Sequence, residues 1–155
     1  MAMVAPKPQE ARTEGSFRHE ALYAWDLSQI RRFMVERKGL KPEMAERVET
    51  EYRRFFELTC LYDNIGIVPA CRAVDEFWHA HILFTRDYAS FCEAVDGQFI
   101  HHLPTLGDEA EALIPFYTGT TFPAYEKHFG EKPPEDIWLH SDAICWGEGG
   151  GGNCS

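Results

Sequence analysis

The chain has no apolar run near the roughly twenty residues that a membrane-crossing helix requires, so no span is expected. Positive charge is scarce: 15 Lys and Arg stand against 25 Asp and Glu, a net charge of −10. Without a basic stripe to follow a phosphate backbone, nucleic acid and anionic membrane surfaces are not expected partners. The five cysteines form no CxxC pair, which removes zinc-ribbon and thioredoxin-type motifs. No HExxH helix supports a zinc-protease solution, and no glycine loop suited to phosphate appears, because the one glycine-rich run comes late in the chain. No internal repeat is visible. The opening MAMVAPKPQEARTEGS lacks the apolar core of a secretory signal. The expectation is a cytoplasmic protein with reduced thiols, Cys60 and Cys92 packed and Cys71 structural.

What is present points to one globular domain. The chain has 155 residues, 45% of them hydrophobic and 14% aromatic, enough to bury a core. The expected fold is all-α: a single small helical bundle of five or six helices over 17–140. A disordered segment over 1–16 precedes it, and a flexible, irregular Cys/Gly-rich tail over 141–155 follows. Residues 17–25 form a possible first helix. Asp26 with Gln29 reads as a capping box for a helix over 27–38 that Gly39 closes. Pro42 opens the next, with Met44, Val48, Tyr52, Phe55, Phe56 and Thr59 as its apolar stripe and its charges, Arg53 and Arg54 among them, on a solvated face. Its end at Cys60, Leu61 and Tyr62 reads as buried all round. Helices are also expected over 106–114 and 122–129. His19 reads as a surface residue, and the dipole at the helix end accounts for His128.

The stretch 68–104 holds four of the seven histidines, His79, His81, His101 and His102. At about 100° per residue, positions 73–95 form a helical pattern, with a break allowed at Thr85 as a cap. Phe77, His81, Phe84, Tyr88, Phe91 and Val95 share the core face, with Trp78 at its edge. Asp75 and His79 lie on another face, one turn apart, where the carboxylate can take one imidazole proton and leave the other nitrogen as base or ligand. His79 and His81 diverge by roughly 200° and cannot easily serve one ion on a regular helix. His81, amid aromatics, reads more readily as a satisfied core residue than as a ligand. Adjacent His101 and His102 point to opposite sides of an extended chain, so at most one belongs to the site. Asp75, His79, His81, His101 and His102 are the candidate metal residues.

The run DEFWHAHILFTRDYASFC followed by GQFIHHLP resembles the bacterial proteins called glycine-rich domain-containing. Its WHAH core, with Leu83, Tyr88 and Cys92, is also similar to the larger plant glycine-rich domain proteins. The resemblance weakens through YEKHFGEKPPEDIW to the Cys- and Gly-containing tail. It implies membership of a family and transfers no catalytic residue.

Three functional readings follow. The first is a small metal-binding protein, extending to a redox or hydrolytic metalloenzyme, with a divalent Zn, Fe or Cu ion on Asp75, His79 and one of His101 or His102. The second is a metal-free acid–base enzyme, with His79 as base and Cys92 or Tyr88 as its partner. The third is a non-enzymatic module that binds a protein or peptide through its aromatics, the histidines being structural. In the tail, Cys145 and Cys154 could fold over the site as thiol ligands, or belong to a disordered end. A small molecule or a peptide is the expected substrate class.

Overall fold

The computed structural model describes residues 16–62, 71–102, 115, 117–139 and 145–146. Among these the protein is all-α, with no strand. The helices are α1 (His19–Ala24), α2 (Ser28–Lys38), α3 (Pro42–Leu61), α4 (Arg72–Leu83) and α5 (Thr85–Asp96). A π-helical turn at Tyr117–Thr121 leads into α6 (Phe122–Phe129), and the short α7 (Glu135–Trp138) follows. The expected helix over 106–114 lies outside the described residues. None of the described helices is long and apolar enough to cross a membrane.

The bundle forms because α3 and α4 carry apolar stripes at helical spacing and pack on one another. Met44, Val48, Tyr52, Phe55, Phe56 and Thr59 are all buried, as their spacing implies. They meet Phe77 and Trp78 of α4: Tyr52 and Phe77 rings lie 4.8 Å apart, Phe55 and Trp78 rings 5.2 Å apart. Helix α4 also contacts α2, α5 and α7, so most of its surface is covered. Its remaining strip carries Asp75 and His79, both only partly buried.

Charged groups tie the smaller helices to this core. Arg53 donates to the carbonyls of Leu22 at 2.5 Å and Trp25 at 2.8 Å, which satisfies orphan acceptors at the end of α1. Glu51, 5% exposed, accepts from the Tyr125 hydroxyl and the Trp138 indole, both at 2.8 Å, and so anchors α6 and α7. Burial pushes the Glu51 carboxyl pKa up, and its two hydrogen bonds oppose that only in part. Arg53, read as part of a solvated face, therefore supplies one of the main interhelical ties, and Glu51 supplies another. The end of α3 also departs from expectation. Cys60 is buried but Leu61 is 44% exposed.

The long histidine helix is two helices. Phe84, at φ −83° and ψ 69°, interrupts it, and the cap position is Phe84 rather than Thr85, with no side-chain cap bond. Gly97 then ends α5 at φ +74°, a left-handed conformation that residues with a Cβ adopt only at a cost. The chain turns there and returns along α4 as the connector 98–102. Cys145 and Trp146, assigned by sequence to a flexible tail, are buried, and the Lys41 amide donates to the Cys145 carbonyl at 2.8 Å. Their apolar side chains dock despite the glycines that follow them.

Candidate metal centre

Asp75 and His79 are one turn apart on the outer strip of α4, and the carboxylate Oδ2 lies 3.5 Å from His79 Nε2. His102 comes from the connector, and its Nε2 is 3.2 Å from Asp75 Oδ1. The two imidazoles stack with centroids 4.5 Å apart and their Nε2 atoms are in hydrogen-bond contact. Each Nε2 carries either a proton or a lone pair. Two that face each other therefore need one proton between them, or an ion. One ligand atom each from Asp75, His79 and His102 lies within 4.8 Å of the others, the one such grouping among the described residues.

The spacing suits an ion of transition-metal size. Zinc bonds of about 2.0–2.2 Å at tetrahedral angles put two ligand atoms about 3.4 Å apart. The carboxylate–imidazole distances of 3.2 and 3.5 Å, one to each Asp75 oxygen, lie near that figure. The two Nε2 atoms stand well inside that figure, so binding requires the two rings to part. All three side chains are partly open, His102 least at 10%. Solvent or a further ligand can therefore reach the centre.

His102 also stacks on the Trp78 indole, with centroids 4.1 Å apart and planes 14° from parallel. The Trp78 Nε1–H donates to the Tyr88 hydroxyl at 2.9 Å, and Tyr88 donates to the Ile100 carbonyl.

His81 is placed elsewhere. It is fully buried, with Nδ1 2.8 Å from the Tyr52 hydroxyl and Nε2 2.7 Å from Asp87 Oδ2. A carboxylate only accepts, so Nε2 carries the proton and Tyr52 donates to Nδ1. Burial lowers the His81 pKa, and Asp87 only partly restores it, which keeps the ring neutral. With both nitrogens committed, His81 has none free for an ion. His101 is exposed, and its ring lies against Phe99 at 4.8 Å. Of the five candidate metal residues, the structure brings together Asp75, His79 and His102, and separates His81 and His101 from them.

Asp87, which also accepts from Trp25 Nε1 at 3.2 Å, was not found from sequence. It lies six residues from His81, a separation that puts two side chains on different faces of a straight helix. The break at Phe84 brings them together. A second cluster was also missed: buried Glu57 faces His19 at 3.4 Å and His128 at 3.2 Å, with Tyr23 donating to it at 3.4 Å. His19 and His128 thus have a shared carboxylate, which sequence reasoning did not give them.

The metal-free reading loses its partners. Tyr88 is 1% exposed with its hydroxyl engaged on both sides, and burial pushes its pKa far up. Cys92 is fully buried, as are Cys71 and Cys145 within a few per cent, and burial also pushes the Cys71 thiol up. Cys154 lies outside the described residues.

A family model, UCP032817-like, matches residues 18–112. That is more than half of the chain, so the protein belongs to this family. The match corrects the resemblance to glycine-rich domain-containing proteins. The match spans α1 to α5 and the histidine stretch, the same residues on which the other resemblance rested, and it ends before α6 and α7. No curated protein and no solved structure matches the chain.

Proposed function

We propose that this member of the UCP032817-like family binds one divalent transition metal through Asp75, His79 and His102. One observation carries the reading: two elements separated by α5 deliver a carboxylate and two imidazoles to a common point. Imidazole with carboxylate suits zinc, iron or copper rather than the all-oxygen sites of calcium or magnesium. Three protein ligands leave positions open, the arrangement of metal centres that activate water or bind a substrate. Two histidines with one carboxylate also fit iron-dependent oxygen chemistry. A small molecule or peptide reaching the open face is the proposed substrate class. A reducing cytoplasmic setting agrees with the buried cysteines at positions 60, 71, 92 and 145.

The interaction-module reading accounts well for His81, whose role is packing. It leaves unexplained why His79 and His102 face one another beside Asp75 on a surface strip. The test is elemental analysis and Zn²⁺ titration of protein purified without a histidine tag. One ion per chain is expected, falling to none in His79→Ala. Full metal content in that variant would remove His79 from the ligands, and a metal-free wild type would leave the module reading.

A further inference from the structure

We infer that Trp78 is a positioning residue for this centre: its indole, held by Tyr88, seats the His102 imidazole over α4 before an ion arrives. The inference rests on the metal-binding reading above. His79 and Asp75 need no such help, because the helix fixes their separation. His102 comes from a connector without regular secondary structure. A ligand on such a segment would lose conformational freedom on binding, and prior ordering removes that cost.

The contacts that order it form a closed circuit through three segments. The indole stacks on His102 at 4.1 Å and donates to Tyr88 of α5 at 2.9 Å. Tyr88 donates to the carbonyl of Ile100, two residues before His102, and Ile100 is itself 1% exposed. The indole cannot rotate away, since Phe55 packs against it and only 5% of Trp78 is exposed. One hydroxyl thus fixes both the ring under His102 and the backbone that carries it. Partners of metal ligands that act this way typically change affinity by roughly 10–100-fold when removed.

The experiment is Zn²⁺ titration against a chromophoric chelator, on the full chain, for wild type, Trp78→Leu, Trp78→Phe and Tyr88→Phe, each with its melting curve. Trp78→Leu is expected to bind roughly 10–100-fold more weakly. Trp78→Phe, whose flat ring can still stack, should recover part of that loss. Tyr88→Phe should be weakened although it deletes a single oxygen. A purely structural indole would shift melting temperatures and leave the dissociation constant of folded protein unchanged. Wild-type affinity in folded Trp78→Leu and Tyr88→Phe overturns the inference and leaves the metal centre standing, whereas a wild type that binds no Zn²⁺ overturns both. If Trp78→Leu does not fold, Tyr88→Phe decides, and unchanged affinity there overturns the positioning role.

Discussion

At the scale of single residues, two histidines two positions apart face different surroundings. His81 points inward, between the Tyr52 hydroxyl and the Asp87 carboxylate. His79 points outward, beside Asp75 and His102. Helical spacing made their divergence legible, and with it the pairing of Asp75 with His79. It did not reveal Asp87, whose approach to His81 depends on a backbone break, nor the buried carboxylates of α3, because a charge on a mostly solvated face looks the same whether or not a later helix covers it. His81→Phe keeps the ring volume and leaves the Tyr52 hydroxyl without an acceptor. It should cost about 1–3 kcal/mol in urea unfolding. Metal content should be unchanged, and a loss of metal would return His81 to the ligand set. Glu51 gives a pH test. Its folded pKa lies above the unfolded value of about 4.3, so the protonated form is favoured by folding. The stability it contributes is complete below that unfolded value and is lost as pH rises through the raised folded value. Glu51→Gln does not titrate there. The stability difference, variant minus wild type, should therefore rise from pH 4 toward neutrality. A flat difference would mean that Tyr125, Trp138 and Arg54 hold the carboxylate as well as water does.

At the scale of elements, the positions of α1 to α6 followed from the sequence because each buries one stripe against a single core, whereas the short α7 after Pro133 and Pro134 was not expected. The break between α4 and α5 was foreseen at the right place for the wrong reason. Thr85 makes no cap, and the interruption sits at Phe84, whose backbone leaves helical geometry while its ring packs on Phe33 at 5.7 Å. The connector was legible only as a turn bearing two histidines. Which of the two faces α4 depends on Trp78 and Tyr88, whose contacts with the connector no periodicity records. Gly97 starts the return. Nothing lies within 4 Å of where a Cβ would sit, so Gly97→Ala meets no clash, only the left-handed backbone cost. It should destabilise by about 1–2 kcal/mol, with Gly97→Asn milder. The folded alanine variant should still bind one Zn²⁺, since Ile100 and His102 are held by Tyr88 and Trp78 rather than by the turn. Loss of binding in a fully folded Gly97→Ala would shift control of the connector to the turn itself.

At the scale of the molecule, α4 divides two kinds of chemistry. Its inner faces meet α2, α3 and α5 in an aromatic core, and its outer strip joins the connector that Tyr88 of α5 holds in place. An ion on Asp75, His79 and His102 would cross-link α4 to the connector, a tie present only in the folded chain. Ligand binding to the native state alone stabilises it by about 2.7 kcal/mol at a free concentration one hundred times the dissociation constant. For a chain of this size that corresponds to a rise in melting temperature of about 5–11 °C. The rise should reverse on chelation, vanish in Asp75→Asn and His102→Ala, and persist in His81→Phe. Because the cross-link is local, amide exchange should slow most over 98–102 and the outer turn of α4, and least over α6 and α7. A uniform slowing, or an equal rise in the two ligand variants, would mean that the ion binds elsewhere on this acidic surface and that the three side chains meet without holding it.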